Sequence, residues 1–193
     1  MPEASDYTPR IVNHALVPAV GSYEVDPTHT FVTFSAQHLA IGRVRGRFGA
    51  VSGTITIADD PSASTIEAKV ESASVNTLVA MRDDDLRSEH YLNVAAHPTM
   101  TYRSTSISQV PGGVWHVTGD LTLLGITRSL ELAAHFGGET IDPWGNVRIA
   151  VHAAGSITRR DFGLTYELLK EAGGLRVRND ISIETDVEAV LRS

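Results

Sequence analysis

The chain has 193 residues, 42% of them hydrophobic, and a net charge of −7. That is enough chain for one domain with a sizeable core. The acidity argues against a nucleic-acid partner, because phosphate binding needs a basic surface. With no cysteine there is no disulfide framework and no thiolate ligand or nucleophile.

Residues 1–20 read as an N-terminal arm, with Pro2, Pro9 and Pro18 spoiling helix or central strand. The apolar run Ala15 to Val20 is too short for the core of a secretion signal, and no positive cluster precedes it. No segment approaches the ~20 apolar residues needed to span a bilayer. A soluble, cytoplasmic protein is the expectation.

From Ser22 to His38 the residues are strand-like, bent at Asp26-Pro27-Thr28. Val32, Phe34, Ala36 and His38 share one face. Leu39 to Gly42 reads as one helical turn. Arg43 to Ile57 is a second long strand, with Gly46, Gly49 and Gly53 marking bulges or sharp bends. Its run Arg43-Val-Arg-Gly-Arg47 sets the arginines on one side, as a solvated face. Thr65 to Ser72 alternates Ile66, Ala68 and Val70 with polar residues, giving one buried and one wet face.

Residues 75–103 hold the one convincingly helical piece, at about 79–90. Thr77 is the candidate N-cap, and Asp83 stands four before Arg87, the better order for a helical ion pair. Val79, Leu86 and Leu92 can share a buried face. Pro98 closes the segment.

The remaining strands are Thr99–Ser108, Val114–Leu124, Ile126–Phe136, Val147–Ile157 and Val177–Leu191. Pro111-Gly112-Gly113 is a hairpin loop, and Gly137 to Asn146 is a broad turn. Arg159 to Gly163 is a turn or short helix, and residues 164–176 a loop with at most one helical turn. The fold class is all-β: about eight long antiparallel strands with internal glycines, fitting an up-and-down barrel with the helix packed against or capping it. Small inward candidates (Ala68, Gly119, Ala134, Ala153, Gly155 and Ala189) leave room for a ligand or let large neighbours fill the taper.

A set of ordered motifs resembles the YceI-like (polyisoprenoid-binding) family. They are Tyr23-Glu-Val-Asp-Pro-Thr-His29 with Phe34, His38-Leu39, Val44-Arg-Gly-Arg-Phe48 and Gly53, and Ser74-Val-Asn-Thr77. Further along come Arg82-Asp83, Leu86-Arg-Ser88, Pro98, Tyr102-Arg-Ser104, Gly119 to Thr127 and Arg160-Asp161-Phe162-Gly163. The resemblance covers Tyr23 to about Val190, so residues 21–193 read as one YceI-like lipid-binding barrel domain. It implies a lipocalin-like barrel holding an isoprenoid or similar amphiphile, often in a homodimer. Members are frequently periplasmic, and this chain looks like a cytoplasmic branch. The family's usual histidine in Leu-Thr-Ile-His-Gly is replaced here by Leu124.

Burial of a lipid tail supplies affinity at roughly 25 cal/mol per Å² before entropy costs, and a few polar groups at the mouth supply selectivity. Candidates for the tail wall are Phe34, Phe48, Leu86, Leu92, Met100, Tyr102, Leu121, Leu123, Val151 and Phe162. Ordinary core packing explains each equally well. His38 and Arg160 complete the candidate ligand-binding set, since Arg159 or Arg160 can neutralise a phosphate. The pairs Arg82-Asp83 and Arg160-Asp161 read as structural locks.

Eight histidines show no His-x-His or His-Glu-x-x-His spacing, although His116, His135 and His152 lie on different strands and can meet. No metal and no cofactor are expected. No Gly-x-Ser-x-Gly appears. The leading expectation is therefore non-catalytic binding, storage or transport of an isoprenoid-like lipid. The alternatives are a barrel enzyme on a lipid-like substrate, with His38 and Asp83 as the acid–base pair, and a stress or structural protein with a filled barrel.

Overall fold

The computed structural model describes residues 8–38, 41–110, 112–166 and 179–192. The expected turn at Leu39-Ala40, and most of the expected loop after Leu164, lie outside the described residues.

The chain opens with a hairpin of β1 (Arg10–Val12) and β2 (Ala15–Val17). Then follow β3 (Gly21–Val25), β4 (Phe31–His38), β5 (Gly42–Phe48), β6 (Val51–Ile57), β7 (Thr65–Glu71) and β8 (Val75–Asn76). Helix α1 (Ala80–Arg87) leads to β9 (Thr99–Val110), β10 (Val114–Leu123), β11 (Ile126–Ile141), β12 (Val147–Thr158) and β13 (Asp180–Leu191). A 3₁₀ turn at Arg159–Phe162 follows β12.

Eight strands, in the order β12-β11-β10-β9-β7-β6-β3-β13, close an antiparallel barrel through β12–β13 pairing. The first two long strands read from the sequence are each broken once. β13 pairs with β4 along Ile181 to Asp186 and with β3 along Ala189 to Leu191, so β3 and β4 are one course kinked at residues 26–30. β5 and β6 are likewise one course interrupted at Gly49-Ala50, where the glycines suggested a bend. The β4–β5 ribbon, with β8 on its edge, continues the wall from β13, and α1 lies beside β8.

Two bulges re-aim side chains. Between β9 and β10 the register slips after Thr118, so Met100 and Tyr102 face inward at even positions and Ile107 at an odd one. In β11 the slip falls between Phe136 and Gly138. Gly138 has φ +139°, a conformation that favours glycine. The strand therefore continues to Ile141, where the sequence suggested a turn from Gly137.

The expected N-terminal arm carries a hairpin of its own. Asn13 and His14 take positive φ at the tip of the β1–β2 hairpin, and Ala15, Val17 and Ala19 are buried. Ala19 donates its N–H to Glu139 Oε2 at 2.9 Å and accepts from the Tyr23 hydroxyl at 3.0 Å. The Arg10 guanidinium donates to the carbonyl of Ala58 at 2.9 Å. The hairpin thus seals the end of the barrel where β3 begins and β9 ends. Above it, Tyr23, Ile55, Val147, Ile149 and Ala189 form one apolar layer, and Ile107, Val117, Ala134 and Ala153 form another.

Among the described residues no helix is long and apolar enough to cross a membrane.

Candidate functional site: the barrel cavity

The barrel is not filled. A cavity of about 1290 Å³ runs from the apolar layers up to α1 and the β4–β5 ribbon. Its size follows from the inward residues. Ala68, Ala134 and Ala153 stand on its wall where larger side chains would close it. Ala134 and Ala153 face each other across β11 and β12. Val151, Ile183, Val187, Leu130 and Leu132 complete much of the aliphatic wall.

Nine of the expected wall residues line this cavity: Phe34, Phe48, Leu86, Leu92, Met100, Tyr102, Leu121, Leu123 and Val151. Phe34 and Phe48 touch with ring centroids 5.5 Å apart. Phe162 is placed elsewhere. It is buried in the cluster with Leu92, Met100 and Leu123 and is not among the lining residues. Arg160 is exposed and lies off the wall, whereas its neighbour Arg159 is buried and lines the cavity. The side chain of His38 lies outside the described residues.

Tyr102 lies along the wall, over the adjacent strand β10. Its hydroxyl donates to the carbonyl of Val117 at 3.0 Å, and its ring lies where a Cβ on Gly119 would come within 2.5 Å of it. Burial, with Asp120 nearby, pushes this phenol up to about 12, so it stays neutral. Gly119 is therefore small because a tyrosine covers it.

A set of polar side chains stands at the helix end. Arg82, Asp85, Tyr91, Arg159 and Tyr166 all line the cavity there. Arg159 donates to the carbonyls of Leu164 and Tyr166, each at 3.0 Å. Tyr166 stacks on His90 at 4.6 Å and meets Tyr91 edge-on at 5.4 Å. Burial raises the Tyr91 phenol, Asp85 and Tyr166 add to the shift, and Arg159 opposes it. Of these five, sequence reasoning raised Arg159 as a phosphate partner and Arg82 as a lock, and passed over the other three. The signal for Asp85 was its place four residues after Met81 and one before Leu86, on the inward side of a short helix.

Helix α1 is held differently from the expectation. Its N-cap is Val79, with no side-chain cap. Thr77 instead donates its hydroxyl to Asp83 Oδ1 at 2.5 Å and its N–H to the same oxygen at 2.8 Å. Arg82 donates from Nε to the Thr77 hydroxyl at 2.7 Å. These bonds hold the Asp83 carboxyl below its usual range against the cost of burial. Arg87 turns away from Asp83, bridging Asp84 at 3.2 Å and donating to the carbonyl of Val75 at 2.7 Å. The Arg82-Asp83 pair thus ties α1 to Thr77, and Arg87 ties it to β8.

Leu124, standing where the family's histidine is usual, has φ +54° in the β10–β11 turn and packs on the Leu92–Phe162 cluster. It is not on the cavity wall.

Two of the strand histidines engage carboxylates on the outside: His152 with Asp186 at 2.9 Å and His116 with Glu131 at 3.5 Å. His135 pairs with His152 across β11 and β12. Asp26, His29 and Glu188 converge within metal-ligand range, but a cation of the chain already sits among them. Arg148 reaches Asp26 at 2.5 Å, Glu188 at 3.1 Å and Asp142 at 3.4 Å. Burial alone would raise the Asp26 pKa, yet hydrogen bonds from Thr28, Arg148 and His29 outweigh it and hold the carboxyl well below the usual range. This node braces the kink between β3 and β4.

Residues 23–189 match the model of the YceI-like domain. The chain is 39% identical over 149 residues to Protein YceI of Salmonella newport, covering 76% of this chain and 78% of that protein. It is 38% identical over 141 residues to a UPF0312 protein of Ectopseudomonas mendocina, covering 72% and 74%. Among solved structures, a Campylobacter jejuni YceI protein aligns with TM-score 0.68 and 28% identity, over 81% of this chain and 90% of that one. A polyisoprenoid-binding domain from Saccharophagus degradans, implicated in plant cell wall breakdown, aligns with TM-score 0.65 and 18% identity, over 88% and 98%, and shares the fold.

Proposed function

Because this chain belongs to the YceI-like family, we propose that its barrel binds one long isoprenoid or similar amphiphile without acting on it chemically. The cavity carries the reading: about 1290 Å³ of room walled mostly by aliphatic and aromatic side chains, with Arg82, Asp85, Tyr91 and Arg159 at the helix end. The tail lies between Ala134, Ala153 and Val187, and the head group sits near Arg159, Arg82 and Tyr91. Each buried CH₂ is worth about 0.8 kcal/mol before ordering costs, so a five-carbon unit contributes roughly 3–4 kcal/mol gross. A wall of this kind measures length and apolarity, not identity. Arg159 favours an anionic or strongly hydrogen-bonding head.

Storage or transport suits this geometry better than catalysis. The Asp83 carboxylate of the candidate acid–base pair is taken up by Thr77, and Tyr102 on the cavity wall keeps its proton. The similarity in fold to a domain described as polyisoprenoid-binding supports the choice of ligand class.

The test is a double variant, Ala134→Phe with Ala153→Phe, which fills the middle of the tunnel. Uptake of geranylgeraniol by the purified protein should fall at least tenfold while the thermal midpoint is unchanged or higher. Uptake equal to the wild type in a folded variant would refute the cavity as the binding site.

A further inference from the structure

Soluble domains scatter exposed apolar side chains singly, so a group of them around one opening calls for a reason. Here Ile41 is 93% exposed, Leu78 89%, Met81 82% and Val79 43%. Ile41 stands at the tip of the β4–β5 ribbon, immediately before β5. Leu78, Val79 and Met81 form the approach to α1 and its first turn, and Val79 and Met81 also line the cavity. The apolar rim and the cavity wall are therefore one continuous surface.

A basic stripe adjoins this rim. Arg43, Arg45 and Arg47 alternate along β5 and all three are exposed. With Leu78 they line a shallow groove in which the one carboxylate is Glu184. Among the described residues none of the three guanidinium groups has an ion-pair or hydrogen-bond partner. In a chain of net charge −7, this is a local inversion of sign. The opposite end of the barrel also exposes apolar groups, Ile11 and Trp144 among them. Its neighbouring arginines are neutralised there, Arg10 near Asp59 and Arg148 by Asp142.

We propose that the helix end of the barrel docks on an anionic lipid surface, with Ile41, Leu78 and Met81 entering the interface while Arg43, Arg45 and Arg47 meet the head groups. Three apolar side chains without charge, or three arginines alone, give marginal attachment, and the combination gives reversible attachment of useful strength. Docking in this orientation seats the cavity mouth on the bilayer, so an amphiphile passes between membrane and barrel without crossing water. That consequence rests on the cavity reading, whereas the docking does not.

The experiment is co-sedimentation of the full chain with vesicles of phosphatidylcholine alone and of phosphatidylcholine doped with phosphatidylglycerol. Binding is expected to the doped vesicles, to weaken with added salt, and to be slight on the neutral ones. The triple variant Arg43→Ser, Arg45→Ser, Arg47→Ser should bind roughly 10- to 100-fold more weakly. The double variant Ile41→Ser, Leu78→Ser should also weaken binding. All these positions are exposed and off the cavity wall, so both variants should fold and take up geranylgeraniol from solution as the wild type does. No sedimentation of the wild type with doped vesicles, or equal sedimentation of the triple variant, would overturn the docking even if geranylgeraniol binds. Vesicle binding without geranylgeraniol uptake would leave the docking standing and count against the cavity reading.

Discussion

Arg148 shows how one side chain braces a distant kink. It sits among Asp26, Asp142 and Glu188, which come from the β3–β4 kink, the β11–β12 turn and β13. Removing it leaves three carboxylates facing one another in a half-buried site. Arg148→Ala is expected to cost about 2 kcal/mol, less than a fully buried pair because solvent screens it, or roughly 4–8 °C in the thermal midpoint. Asp26 carries a pH signature. Its folded pKa lies below the unfolded value near ~3.9, so its contribution is complete above that pH and is lost as pH falls further. Asp26→Asn should flatten the acid limb of a stability-against-pH curve below about pH 4. An unchanged slope would place the acid sensitivity elsewhere. Gly119 works by absence. A Cβ there would come 2.5 Å from both the Arg103 carbonyl oxygen and Tyr102 Cζ. Gly119→Ala is expected to destabilise by about 1–3 kcal/mol in a denaturant titration, as overpacking does.

Among the elements, α1 is the one held mainly by polar groups. It has eight residues, of which Asp83 is the buried one, too short to be stable by propensity alone. Its polar hold is the Thr77–Asp83–Arg82 node together with the Arg87 bonds to the carbonyls of Ala73 and Val75. Thr77→Val should therefore speed amide exchange across residues 80–87 while leaving β11 and β12 as protected as before. Equal protection in α1 would mean that Leu86 and its apolar neighbours carry the helix. The strands were readable because residues 66, 68 and 70, or 130, 132 and 134, alternate against a wet face, and alternation needs no tertiary knowledge. The helix was readable from its position, but its anchoring was not. Local capping rules sent Thr77 to the helix backbone, and the contact it makes is with a side chain six residues on. Bulges at Thr105 and Gly137 were equally hidden, since a one-residue slip is a property of two strands. The β1–β2 hairpin was masked by Pro9 and Pro18, which flank it without interrupting it. The alternation of Ala15, Val17 and Ala19 around exposed Leu16 was its available signal.

At the scale of the whole molecule, two ends of one barrel have opposite designs. The hairpin and the layer of Tyr23, Ile55, Val147, Ile149 and Ala189 close one end, while short side chains midway keep the other half hollow. Residue sizes in the sequence left hollow and filled barrels equally open, because volume depends on which small residues face one another. The pairing of Ala134 with Ala153 is what decides it. The hairpin seal also predicts a cost. Deleting residues 1–19 removes the Ala19 contacts of Tyr23 and Glu139 and should lower the thermal midpoint, while the layer around Tyr23 and Ile149 still closes that end.

The central claim is that the hollow holds an amphiphile. The most direct test is native mass spectrometry of the purified, folded protein, with an organic extract of the same sample analysed alongside. A single bound apolar molecule per chain, recovered in the extract with an isoprenoid or comparable long tail, is the predicted result. A bare chain mass that stays bare after incubation with long isoprenoid alcohols would contradict the account.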